Sequence, residues 1–88
     1  MSTRVAVISI IIENMDSVER VNQLLHQSSQ YILGRMGIPY RQKGIRLISV
    51  ALDAPQDVIS ALSGSIGRLP GVSTKTAYSG VITESEEP

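Results

Sequence analysis

Eighty-eight residues suffice for one small domain and leave no room for a second core. With no cysteine, disulfides, thiolate metal sites and cysteine nucleophiles are excluded, and eight basic against eight acidic side chains give no charge footprint of a nucleic-acid binder. Three tyrosines are the only aromatics, so Ile, Leu and Val must build the core, and a core this small is of the kind that oligomerisation supports.

The first segment, RVAVISIIIEN (Arg4–Asn14), is rich in β-branched residues and reads as a strand. Val5, Val7 and Ile11 share one face; Ala6, Ile8, Ile10 and Ile12 share the other. A strand apolar on both faces is buried on both. The run is too short to cross a bilayer, and the N-terminus has no signal-peptide pattern, so a cytoplasmic protein is expected. Asp16 and Glu19 then form a capping-box pattern, which predicts a helix from Ser17 to about Ser29. Val18, Val21, Leu25 and Ser28, flanked by Leu24, make its inward stripe.

Tyr31 to Tyr40 is a second strand interrupted by Gly34, Gly37 and Pro39, which suits an edge or a bulge. Arg41–Gly44 reads as a hairpin turn, and Ile45–Leu52 as a third strand, again apolar on both faces. Pro55 suits the first turn of a second helix, with Asp57 near the positive end of its dipole. Val58, Ala61, Leu62 and Ser65 are its expected inward stripe, and Gly67 its stop. Val72 to Tyr78 is the last strand. Residues 1–80 make the domain, and 81–88, with Glu84, Glu86 and Glu87, make an acidic, flexible tail.

The order β-α-β-β-α-β predicts an α+β, ferredoxin-like fold, a four-stranded antiparallel sheet with two helices on one face. In that topology the first and third strands are central, and they are the two most apolar here. Two helices cover only one sheet face. A second subunit, packed sheet against sheet or edge to edge, is therefore expected to cover the rest.

Gly64, Gly67 and Gly71 fall late in the second helix and after it, whereas a phosphate cradle needs glycines before a helix N-terminus. They read as helix stop and close packing. RNA-binding RRM domains share the element order, but their stacking aromatics on the first and third strands are missing here. His26 is the only histidine, too few for a metal site within one chain. No catalytic constellation stands out. Arg35, Arg41, Lys43 and Arg46 cluster around the hairpin, where they either bind an anion or solvate an edge.

VNQLLHQSSQYILGRMGIPYRQKGIRLISVAL followed by ALSGSIGRLPGVSTKT resembles a family of small ACT-like proteins assigned to regulation of the iron-only ([FeFe]) hydrogenase system. The likeness runs from about Val5 to Thr76. It implies an ACT-like ferredoxin fold, homodimers or homotetramers, and a link to hydrogenase-system proteins; the family's biochemical role is conjectural. More distantly the chain resembles the C-terminal domain of nickel-responsive repressors. His26 falls at the first of that domain's four nickel ligands, and Gly37, Pro39 and Ile45 fall at the others. The loop between first strand and first helix, ENMDS, lacks the glycine that amino-acid-binding ACT domains often use there.

The resemblance and the doubly apolar strands together lead us to expect a non-enzymatic regulatory module. It would bind a small-molecule effector at subunit interfaces, through Asn22, His26, Arg35 and the Ser63–Gly64–Ser65 segment. No catalytic residue, metal, cofactor, nucleic acid or membrane is expected. A role purely in assembly, through protein contacts in hydrogenase maturation, is the alternative.

Overall fold

The computed structural model describes residues 2–84. Its two most apolar strands, β1 (Ser2–Ile12) and β3 (Ile45–Ala54), lie side by side and antiparallel, with Ile8 opposite Val50 and Ile10 opposite Ile48. β2 (Ile32–Tyr40) pairs with the outer side of β3, and β4 (Val72–Glu84) with the outer side of β1, giving the order β2-β3-β1-β4. With α1 (Val18–Gln27) and α2 (Gln56–Gly67) between the strands in sequence, this is the expected α+β, ferredoxin-like arrangement. Among the described residues no helix is long and apolar enough to cross a membrane.

Alternation along the strands decides where the core lies. Ala6, Ile8, Ile10 and Ile12 of β1, with Ile48, Val50, Leu52 and Ala54 of β3, face the helices and are buried against Val21 and Leu25 of α1 and Ile59, Leu62 and Ile66 of α2. Each fully buried Ile, Leu or Val contributes about 1.5–3 kcal/mol by leaving water.

Local chemistry adjusts several predicted boundaries. Asn14, rather than the Asp16–Glu19 pair, caps the start of the first helical segment. Its Oδ1 accepts from the Asp16 N–H at 3.0 Å and opens a 3-10 turn over Met15–Ser17. Ser17 stands at the N-cap of α1 but makes no capping bond, because its buried hydroxyl donates to the Pro70 carbonyl at 2.7 Å. The helix ends at Gln27, two residues early, and a 3-10 turn over Ser29–Tyr31 leads into β2. Pro55 takes the N-cap position of α2, just ahead of the predicted first turn.

The inward stripe of α2 is displaced by one residue from its predicted phase. Ile59, Leu62 and Ile66 point at the sheet, Ala61 is exposed, and Val58 and Ser65 are half-buried. An i, i+3, i+7 spacing of large aliphatic residues outcompetes a stripe containing Ala and Ser, since it buries more apolar area. Ile59→Ala should accordingly cost about 2–5 kcal/mol in urea denaturation, whereas Ala61→Gln should stay within about 0.5 kcal/mol. Comparable losses for the two would restore the predicted phase.

β2 is an edge strand, and its pairing with β3 slips between Ile32 and Gly34. The hairpin to β3 is a 3-10 turn over Arg41–Lys43 closed by Gly44. β4 outruns its predicted end at Tyr78 and continues to Glu84. Ser2–Arg4 of β1 supply its partners there, and an irregularity between Arg4 and Ala6 absorbs the extra residues around Gly80. The last four residues of the predicted tail, 85–88, lie outside the described residues.

Candidate functional site

Helical periodicity sets Asn22 and His26 one turn apart on the flank of α1, away from its buried Val21 and Leu25. β2 brings up Arg35 from the sheet. Its register opposite Val50 turns Arg35 to the helix side, where its Nη2 donates to Asn22 Oδ1 at 2.6 Å. Asn22, His26 and Arg35 then line one cavity of about 440 Å³ with Leu25, Ser29 and Ile32. Asn22 and His26 also border a second depression of about 590 Å³, with Met15, Val18, Glu19 and Gln23. The pair is therefore a ridge between two grooves, with a guanidinium on one side and a carboxylate on the other.

This set holds a planar cationic fork, an amide and an imidazole around an apolar floor of Leu25 and Ile32. One guanidinium donor is engaged by Asn22, and the fork can offer others to a carboxylate or carbonyl oxygen. Ser29 and Ile32 complete the lining; sequence reading missed them because both lie where α1 ends and the chain turns into β2. Among the described residues no group of three or more His, Cys, Asp or Glu is placed to hold a metal ion.

The Ser63–Gly64–Ser65 segment lies elsewhere. The Ser63 hydroxyl is engaged with Thr74 and Thr76 of β4, each at 3.3 Å, and the Thr74 hydroxyl donates back to the Ser63 carbonyl. Gly64 faces Arg68, and Ser65 lines a separate cleft of about 240 Å³ between the helices, with Leu24, Gln27 and Ser28. β2 and β4 are the two opposite edges of the sheet. Within one chain Ser63 is thus on the far side of the helix layer from Arg35.

The sheet face away from the helices carries the other half of the double apolar pattern. Val7 stands beside Ala51 and Ala77, and Ile11 beside Leu47, which in turn neighbours Ile38 of β2. In the single chain Val7 is 37%, Leu47 36%, Ile11 42% and Ile38 47% exposed, high values for neighbouring aliphatic side chains on the two central strands and the adjoining β2. Ser9, Ile11, Met36, Ile38, Leu47 and Ser49 enclose a depression of about 240 Å³ in that face.

A family profile, TM1266-like, described as "Iron-only hydrogenase system regulator, putative", matches residues 4–76, which span the sheet core, both helices and the α1 groove. The chain belongs to this family. Uncharacterized protein TM1266 from Thermotoga maritima, whose structure is solved, is 35% identical over 86% of this chain and 96% of its own, with a TM-score of 0.83. A formyltetrahydrofolate deformylase from Pseudomonas putida KT2440 matches at a TM-score of 0.60 and 17% identity, over 82% of this chain and 28% of its own, a likeness of fold alone. No curated protein matches.

Proposed function

We propose that this chain is a non-enzymatic, cytoplasmic regulatory module of the iron-only hydrogenase system. It works as a homo-oligomer and binds a small polar effector in the groove of Asn22, His26 and Arg35. The open apolar sheet face carries the reading. Contiguous aliphatic side chains in the middle of a sheet are unfavourable against water, and a second copy offers the same surface in return. The family description supports a regulatory role. The groove supports effector binding, since its polar groups converge over an apolar floor without an obvious nucleophile–base pair. Assembly could also bring Ser63–Gly64–Ser65 of one copy towards the groove of another, which a single chain does not do.

Native mass spectrometry of protein purified from its own host tests this directly. A dimer or tetramer carrying an extra mass is the expected result. Arg35→Ala should then lower occupancy by about tenfold or more, as the loss of a charge-assisted hydrogen bond would, and His26→Ala should also reduce it. The oligomer should persist in both variants, because neither side chain lies on the open sheet face. A bare oligomer would favour the alternative role, assembly through protein contacts. A bare monomer would contradict the proposal.

A further inference from the structure

A separate charge pattern lies at the hairpin end of the sheet. From Arg20 to Leu52 the chain contains five cationic residues, Arg20, Arg35, Arg41, Lys43 and Arg46, and no aspartate or glutamate. Three of these bracket the β2–β3 turn. Arg41 and Arg46 line one cavity of about 280 Å³, together with Met15, Pro39, Gly44 and Ile45. The Arg46 Nε–H is buried and no protein group accepts from it. Among the described residues neither guanidinium is held by a hydrogen bond or an ion pair. The carboxylates nearest in sequence to Met15 are Glu13 and Asp16, and neither lines the cavity.

A surface arginine that merely solvates an edge carries its whole guanidinium into water. Arg46 is half-buried, its Nε–H packed in the protein without an acceptor, which leaves the outer Nη donors free for an acceptor in the cavity. Two guanidiniums on one cavity whose lining holds no carboxylate make a local positive potential there. Planar forks of this type match the tetrahedral oxygens of a phosphate group, and two of them together can engage both of its charges. Met15, Pro39 and Ile45 form an apolar wall beside them. The wall gives a place for the part of the ligand that is not phosphate.

We propose that this cavity binds a phosphate monoester, its phosphate held by Arg41 and Arg46 and its organic group against Met15, Pro39 and Ile45. The site shares no lining residue with the cavity of Asn22, His26 and Arg35, and meets the neighbouring depression on α1 only through Met15. Arg41 comes to the cavity from the turn, and Arg46 from the first residues of β3.

The test is a nuclear magnetic resonance titration of the full chain with phenyl phosphate, with inorganic phosphate, and with sodium chloride at matched ionic strength. The expected result is saturable shifts of the Gly44, Ile45 and Arg46 amides with phenyl phosphate, weaker binding of inorganic phosphate, and no comparable response to chloride. Arg41→Gln should weaken phenyl phosphate at least about tenfold, as should Arg46→Gln. Arg41 is exposed, so its variant keeps the test decisive even where loss of the half-buried Arg46 disturbs folding. Equal affinity for phenyl and inorganic phosphate would overturn the assignment of the apolar wall. Shifts that chloride reproduces, or that survive in Arg41→Gln, would overturn the site. His26→Ala should leave this titration unchanged, which separates the outcome from that of the α1 groove.

Discussion

Replacing Gly71 with alanine should destabilise the domain by about 2–5 kcal/mol, from the sum of two costs. Gly71 has φ +67°, a left-handed conformation that costs an L-residue about 1–2 kcal/mol. A Cβ built there would also lie 2.6 Å from Asn14 Cβ and 2.8 Å from the Asn14 backbone nitrogen. Backbone cannot swing aside as a side chain tip can, and such overpacking adds about 1–3 kcal/mol. The close approach has a purpose. Glu13 N–H donates to the Gly71 carbonyl at 2.7 Å, and Ser17 Oγ to the Pro70 carbonyl, so the β1–α1 and α2–β4 connections are tied together at one end of the sheet. Gly44 is the internal control: its φ is +65° but nothing lies within 4 Å of a Cβ there, so Gly44→Ala should cost only the conformational part, about 1–2 kcal/mol. For a domain of this size each kcal/mol lowers Tm by about 4–8 °C, so thermal unfolding resolves the two variants. Equal Tm losses would mean that the Asn14 contact relaxes freely and that the tie is not structural.

The element order was readable because each strand and helix carried its own signal. The doubly apolar segments around Ile8 and Val50 pointed to the central positions that β1 and β3 occupy, and Gly34, Gly37 and Pro39 pointed to the edge that β2 occupies. What escaped was decided by contacts distant in sequence. Ser17 is drawn from capping by Pro70, 53 residues on, and β4 is lengthened by partners at Ser2–Arg4. The α2 phase was misread because Ile59 and Ile66 compete with a nearby stripe of similar period, and only the sheet beneath selects between them. In the candidate site, Asn22 and His26 were legible as neighbours from their spacing of four. Their junction with Arg35 depends on the β2 register, which the Gly34 irregularity shifts by one residue. Ser63 was drawn into the same candidate set by family likeness together with the doubly apolar strands, and the sheet order puts it beside β4, at the opposite edge.

Ile11→Lys should convert the proposed homo-oligomer to a monomer of 9.5 kDa while leaving it folded, and light scattering coupled to gel filtration measures both species. Ile11 lies on the open face, 42% exposed in the single chain, opposite Leu47 and next to Ser73 in the sheet. A lysine there can extend into water in the monomer, so circular dichroism and Tm should change little. In a two-fold sheet-to-sheet dimer the same substitution occurs twice, and each ammonium must leave water in an apolar interface without a designed partner. A penalty of about 3 kcal/mol or more follows, which weakens association on the order of 100-fold or more. Ile10→Lys, one residue along, would unfold the chain instead, because Ile10 is buried under the helices. The contrast between adjacent positions separates the two faces of β1 by experiment. A Leu47→Asp variant that also dissociates would extend the interface to β3. An Ile11→Lys protein that stays oligomeric would remove the sheet face as the interface. Association would then have to run through the β2 or β4 edge, and the open apolar face would call for a partner other than a second copy of this chain.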